Sequence, residues 1–386
     1  MADGIMNIQI LKSIFELEKS QWDKIIPKDF PFLRFEFLRA LEATHCLGAR
    51  TGWEPCYFIA RAHGEVQGAL LAYIRNNSFG EYIFDFAWAD AFARYGHDYY
   101  PKLVCAIPFT PATCPKILVN PLMDPSLHEE VAQKLLSALK EAVGSLSLSS
   151  AHALFISPEE ISTFETGDFF IRDSFQYHWK NNFYADFDAF LASLRSKRRK
   201  EIQRERAQVR KSGVRILRLT GEQLMPEHAE VMYELYISTM EKKAGFDFLT
   251  LDFFKLVFAQ MKNEILFVLA QDDKGTPVAG AMNYFGPKTL YGRHWGCLAE
   301  YRALHFELCY YQGIEFAIER GLSLFEAGAQ GEHKFNRGFL PCLTYSAHFI
   351  HNETFARGIK NFVKEEKVQL GQYFKYADEH TPFARG

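Results

Sequence analysis

The run Glu326-Ala327-Gly328-Ala329-Gln330-Gly331-Glu332-His333-Lys334-Phe335-Asn336-Arg337-Gly338 gathers carboxylates, an imidazole, an ammonium and a guanidinium among glycines. The apolar stretch 323–327 that leads into it reads as a strand, so these groups fall just beyond a strand end. Glycines there let backbone N–H groups approach a ligand closely. The polar set matches acyl transfer to an amine. Glu332 or His333 serves as the base that removes a proton, and Lys334 steadies the developing oxyanion. Arg337 suits a carboxylate or phosphate. Glu326 and Gln330 are read as substrate-binding groups beside them.

Two further loci carry chemistry. Tyr291, Arg293, His294 and Trp295 lie on an expected strand, 289–296, and His305 and Glu307 open an expected helix, 304–320; Tyr291, Arg293, His294 and Glu307 are read as substrate-binding groups. Strict alternation puts Tyr291, Arg293 and Trp295 on one face and turns His294 away. Asp85, Trp88 and Asp90 occupy corresponding ground in the first half of the chain, on a strand expected near 82–88. A buried Asp85 there would require a partner. The other locus is a long helix expected over 187–211, whose segment 195–211 carries nine Lys/Arg against Glu201 and Glu205. Phe187, Leu191, Leu194, Ile202 and Val209 form its packing face. Lys197, Lys200, Arg204 and Lys211 line the opposite side, and with Arg198 they are read as a contact for phosphate or another polyanion.

The elements that position these groups repeat. Tyr57-Phe58-Ile59-Ala60-Arg61, a turn, and Val66-Gln67-Gly68-Ala69 are echoed by Phe267-Val268-Leu269-Ala270-Gln271, a turn, and Val278-Ala279-Gly280-Ala281. Both read as hairpins. Trp88 follows the first at about the register of Trp295 after the second. Duplication of one α/β unit explains the echoes, with domains expected at 1–178 and 179–386 and a mixed sheet in each.

The 386 residues include 48% hydrophobic and 24% charged residues, which describes a folded protein with real cores. A net charge of −3 excludes a uniformly basic coat for nucleic acid. No apolar run is long enough to insert stably across a membrane, and no signal segment reads in the first thirty residues. Seven scattered cysteines without a C-x-x-C pair argue against a disulfide framework or a structural zinc, so no metal is expected and a cytoplasmic setting is. His348 and His351 lack the companions a metal site needs.

Four segments together resemble the bacterial FemAB-like family: Phe84 to Ala91, Ile107-Pro108-Phe109-Thr110-Pro111, Leu304 to Tyr311, and Glu326 to Gly338. That family is related to the peptidoglycan interpeptide-bridge aminoacyltransferases. The resemblance implies two tandem GNAT-like domains around a shared cleft, and transfer of an aminoacyl group from aminoacyl-tRNA to an amine, possibly on a peptidoglycan precursor. Arg198-Arg199-Lys200-Glu201-Ile202 is similar to the basic helix of those enzymes. Two rival readings stand beside this one. An acyl-CoA-dependent N-acetyltransferase would need a phosphate cradle, and Gly296-Cys297-Leu298-Ala299-Glu300-Tyr301-Arg302 offers one glycine for it. A non-catalytic duplicated scaffold would bind a cell-wall fragment or RNA without transfer. Aminoacyl-tRNA or acyl-CoA would enter as co-substrate, and the sequence assigns no further cofactor.

Overall fold

In the computed structural model, which describes residues 6–242, 245–329 and 331–384, both expected hairpins are present. Asn7–Leu11 (β1) pairs antiparallel with Trp53–Ala62 (β2), and the helices Lys19–Ile25 (α1) and Phe35–Ala43 (α2) lie between them in sequence. A two-residue turn at His63 and Gly64 leads β2 into Glu65–Arg75 (β3). Then follow the helix Phe86–Arg94 (α3) and the strands Lys102–Cys105 (β4) and Ile117–Val119 (β5). His128–Ser145 (α4) crosses over to Ser150–Ile156 (β6), which lies parallel to β4. The short helix Ile161–Thr166 (α5) precedes Phe170–Lys180 (β7).

The second half restarts the pattern. Phe187–Ser193 (α6) and Ser196–Lys211 (α7) lead to Arg215–Leu219 (β8), Pro226–Lys242 (α8) and Leu251–Gln260 (α9). Ile265–Gln271 (β9), Pro277–Phe285 (β10) and Thr289–Cys297 (β11) continue the antiparallel meander. Leu304–Phe306 (α10) passes through a π turn, Glu307–Tyr311, into Gln312–Glu319 (α11). Leu324–Glu326 (β12) then pairs parallel with β11, and Leu340–Ile350 (β13) and Glu353–Glu379 (α12) close the chain.

Two compact units result. The first gathers the chain through Pro27, Phe32–Phe175 and Leu343–Tyr373; the second gathers Lys28–Pro31, Gln176–Cys342 and the chain from Phe374 onward. Strand order is β1-β2-β3-β4-β6-β13 in the first, with β5 beside β3, and β8-β9-β10-β11-β12-β7 in the second. The two orders are equivalent: an antiparallel meander of four, a parallel fifth strand, an antiparallel sixth. Each sixth strand comes from the opposite half of the sequence. A single cut at 178/179 therefore does not separate the units, because residues 343–373 complete the first and 176–180 complete the second.

Packing follows the apolar faces. The first unit's sheet buries Phe58, Leu70 and Leu103 against Leu135, Leu139 and Val143 of α4. Each such side chain contributes roughly 1.5–3 kcal/mol on burial. In the second unit α8 lies so close over β11 that a Cβ on Gly296 would stand 1.8 Å from the carbonyl oxygen of Leu235.

Local expectations change in three places. Residues 82–88 form no strand: Asp85 is the N-cap of α3, so Trp88 sits on a helix while Trp295 sits on β11, and the two tryptophans are not equivalent. The 187–211 helix breaks at the extended residues Leu194 and Arg195. The 304–320 helix carries the π turn.

Candidate functional site

In the second unit, β11 and β12 run parallel for only three pairs, from Thr289↔Leu324 to Tyr291↔Glu326. β12 stops at Glu326 while β11 continues to Cys297. The strands therefore part at their carboxyl ends, where open α/β sheets bind ligands. The extension of β11 is fixed from the other side by α8, with Thr239 Oγ1 donating to Trp295 O at 2.6 Å and Lys242 Nζ to Cys297 O at 3.0 Å.

β11 also carries a bulge. Asn283 faces Gly292 and Met282 faces His294, leaving Arg293 as the extra residue. A bulge shifts the alternation by one. His294 therefore shares the face of Tyr291, and Trp295 takes the other, the reverse of the arrangement read from strict alternation. His294 is packed between the rings of Tyr236 and Phe254, both at 5.6 Å, and burial pushes its pKa well down. On that same face Tyr291, Glu326 and His178 form a cross-strand row. His178 is buried, bonded to Gln176 at 3.2 Å, and held at a pKa of about 3 by burial and by the Lys334 charge.

Beyond the split, Gly331 at φ 115° and Gly338 at φ 87° bracket a 3-10 helix, Glu332–Arg337. Only glycine takes such backbone without strain, which lets the chain turn sharply into and out of this helix. Lys334 is 2% exposed, and its Nζ donates to Gly328 O at 2.8 Å. Among the described residues no carboxylate meets it. Burial lowers its pKa to about 8, although the nearby Cys309 works the other way. A lysine keeps three N–H donors, and one is engaged here.

Arg337 is the brace of this helix. Its Nε donates to Tyr311 Oη at 3.0 Å, its Nη1 to His333 O at 2.8 Å, and its Nη2 to Glu205 Oε1 at 2.5 Å. The Tyr311 hydroxyl also donates to Glu205. At the next residue of α7, Arg206 pairs with Glu307 at 3.0 Å and Glu315 at 2.6 Å, and Gln312 adds a bond to Glu307 at 2.8 Å. Two buried ionic knots thus tie α7 to the 3-10 helix and to the π turn. Arg337 and Glu307, read from the sequence as substrate ligands, have these structural partners instead.

The π turn places Tyr310 beside His333, with Tyr310 Oη and His333 Nε2 at 2.8 Å. The rings of Trp295 and His305 lie 4.9 Å apart, and those of His305 and His333 5.8 Å apart. The Arg337 guanidinium lies 3.4 Å from the Phe306 ring centroid, with Phe306 5.6 Å from His333. Burial, Arg337 and Lys334 together lower the His333 pKa, so the partly exposed ring is neutral near pH 7. Glu332 points into solvent. On the outer side of α7, Lys197, Lys200, Arg204 and Lys211 are exposed, and Arg198 pairs with Glu201 at 3.0 Å. The loop after β11 offers no phosphate cradle: the amides of Leu298 and Ala299 both point to Val278 O, at 2.8 and 3.4 Å.

The site thus assembles His333 and Lys334 with Tyr310, Phe306 and Trp295 around the strand split, while Tyr291, His294 and Glu326 fall on the other sheet face. Gln330 lies outside the described residues. Glu205, Arg206, Tyr310, Tyr311 and His178 were not singled out in the sequence. The i,i+1 pair of acid and arginine on a basic helix was the one available signal for the first two.

Asp85 and Trp88 belong to the first unit, and Asp90 is exposed there. Asp85 finds the partners its burial demands: Lys102 Nζ at 2.5 Å, Ser78 Oγ at 2.6 Å and Tyr99 Oη at 2.5 Å. Burial alone would raise its pKa, but Lys102 and these donors hold it at about 2.

A family model for FemAB-like proteins, described as peptidoglycan biosynthesis/recognition, matches residues 13–385. No curated protein sequence matches the chain. Among solved structures it is similar to FemX, with a TM-score of 0.53 and 13% identity over 92% of this chain and 100% of that one. It is also similar to a conserved protein of unknown function from Bacteroides thetaiotaomicron, with a TM-score of 0.51 and 10% identity over 89% of this chain and 99% of that one. L-PGS from Bacillus licheniformis gives a TM-score of 0.50 and 9% identity over 81% of this chain and 90% of that one. At such identities the likeness concerns the fold alone, here two mixed α/β units of equivalent strand order. With the family model spanning nearly its whole length, the chain belongs to the FemAB-like family.

Proposed function

We propose that the second unit is an N-acyltransferase site that moves an aminoacyl or acyl group from an activated carrier to an amine in peptidoglycan-related chemistry. Lys334 carries this reading. Arg75, Lys102 and Arg337 are buried too, yet each meets a carboxylate. The buried Lys116 spends its donors on Cys114 O, Cys114 Sγ and Phe155 O, whereas among the described residues Lys334 meets Gly328 O alone. An ammonium buried against a carbonyl oxygen alone is a costly arrangement unless an anion arrives. An oxyanion forming at an acyl carbon is such an anion, and a preorganised donor in a dry site stabilises it strongly.

The amine nitrogen attacks the ester carbonyl, and its lone pair forms the new C–N bond. The carbonyl oxygen gains charge beside Lys334 Nζ. His333, neutral and oriented by Tyr310, accepts the amine proton, since its ring is open to an incoming substrate. The tetrahedral intermediate then collapses and the C–O bond to the carrier breaks. The departing alkoxide takes from His333 the proton removed from the amine, leaving as the carrier's hydroxyl and returning His333 to its neutral form. The exposed cationic side of α7 favours a carrier with a phosphodiester backbone, namely aminoacyl-tRNA. The committed amides after β11 weigh against acyl-CoA.

The test is transfer of label from a panel of radiolabelled charged tRNAs and acyl-CoAs to an amine in a cell extract. Label from charged tRNA, lost in Lys334→Ala, supports the reading. Label from acyl-CoA alone replaces the donor. No label from any carrier, with RNA still bound, makes the chain a binding scaffold.

A further inference from the structure

The first unit holds a buried ionic network unrelated to the transfer site. Arg75 and Lys102 are both fully buried; Arg75 meets Glu81 at 3.3 Å, and Lys102 meets Glu81 at 2.8 Å as well as Asp85. Every part of it reaches one segment, residues 77–86. Arg75 also donates to Phe79 O at 2.6 Å and to Asn77 Oδ1 at 3.1 Å, and Tyr100 Oη meets Ser78 Oγ at 2.9 Å. From outside, Arg172 Nη1 donates to Phe84 O at 3.0 Å.

The segment alternates. Glu81, Ile83 and Asp85 point inward, while Phe79, Tyr82, Phe84 and Phe86 point out. The three phenylalanines are 63%, 49% and 43% exposed. Phe84 and Phe86 stack at 5.7 Å, and Phe79 lies 6.3 Å from Phe86. Loops do not ordinarily hold adjacent large rings in water on a frame this fixed, because the apolar surface gains by burial. The rings are preorganised, so a partner meets little ordering cost.

The polar groups decide the class of partner. Ser78, Glu81 and Asp85 face inward and are already bonded, so the outward side of the segment offers a partner chiefly apolar rings, with the Tyr82 hydroxyl as its hydrogen-bonding group. On the helix that Phe86 opens, Asp90 is exposed one turn later, and through Arg172 the segment is joined to a helix that carries a row of cations. Arg172 joins Phe84 to Glu366 of α12 at 2.7 Å, and along α12 Arg357, Lys360, Lys364 and Lys367 are exposed at helical spacing on one side. Glu365 and Glu366 fall off that stripe. Lys360 Nζ lies 5.7 Å over the Phe170 ring, and Lys367 reaches Asp173 at 3.0 Å.

The geometry points to an anionic lipid surface as the partner of this loop: the rings enter the acyl boundary and the α12 lysines meet the headgroups. The inference does not depend on the transfer chemistry. It is tested by co-sedimentation of the full chain with vesicles of phosphatidylcholine, with and without phosphatidylglycerol. Binding should require phosphatidylglycerol and weaken with salt. Phe79→Ser with Phe84→Ser and Phe86→Ser should cut binding at least tenfold. Replacing Lys360, Lys364 and Lys367 by Gln should cost about fivefold for each lysine. Phe79→Ser alone, at the most exposed ring, serves if the triple variant does not fold. Absence of wild-type binding, unchanged binding in the ring variants, or a ring variant that instead dissociates a dimer or loses a glycan fragment overturns the assignment.

Discussion

Lys334 and His333 occupy consecutive positions, yet their surroundings push them to opposite tasks. Burial drives the Lys334 pKa down to about 8, which leaves it charged at neutral pH, while burial and two neighbouring cations keep His333 neutral. One can donate to an oxyanion and the other can accept a proton. The pair therefore predicts a pH profile as well as a mutant phenotype. Lys334 is protonated below its folded pKa, so transfer should decline as pH rises through about 8. Lys334→Ala should lower turnover by roughly a hundred- to a thousandfold, the usual cost of losing an oxyanion donor. It should also abolish the alkaline decline that remains. His333→Ala should affect turnover more than Glu332→Ala, because Glu332 has no partner aimed at the split. Turnover assays across pH 6–9 check all three, with thermal melts to show the fold intact.

At the level of elements, α7 has two distinct sides. Glu205 and Arg206 face inward and anchor it; Lys197, Lys200 and Arg204 face out. Replacing the three outer cations by Ala should weaken tRNA binding uniformly across sequences and flatten its log–log salt slope by about two to three. Filter binding between 50 and 200 mM salt would measure it, and an unchanged slope would remove α7 from the carrier's path. The basic character of this helix was legible in its composition, and the hairpins were legible because apolar runs met glycine-containing turns. Other features were hidden for physical reasons. β7 buries Gln176 and His178, so its inward face looks polar and the strand escapes an apolar-pattern reading. The Arg293 bulge moves one residue out of register, which no local composition announces, and it reverses the faces of His294 and Trp295. Residues 82–88 read as an aromatic strand, although the i,i+4 spacing of Trp88 and Phe92 is the helical signal that packing obeys. Glu307 and Arg337 look like free ligands in a sequence, because their partners Arg206 and Glu205 lie more than a hundred residues away.

For the whole molecule, the exchanged sixth strands mean that neither half of the sequence is a folding unit. A fragment ending at residue 178 lacks β13 and α12, leaving β6 with an open edge, and should be aggregation-prone and without a cooperative melt. Acid stability follows from buried imidazoles by the same global accounting. His178 titrates near 3 in the folded chain and near 6.5 when unfolded. Below 6.5 the unfolded chain therefore takes up a proton that the folded chain refuses, and stability falls as pH drops from 6.5 toward 3. At pH 5 this single group costs about 2 kcal/mol, from 1.4 kcal/mol per pH unit. His152, also held at about 3, and Asp85, held at about 2, act in the same direction. Glu42, Glu81 and Glu160 oppose them, because burial raises their folded pKa values and protonation then favours the folded state. A comparison of wild type with His178→Gln cancels every group the two share. Urea unfolding at pH 7 and pH 5 should show the variant losing about 2 kcal/mol less than wild type between the two conditions. Equal losses would mean that His178 accepts a proton in the folded protein, which its burial and the Lys334 charge argue against.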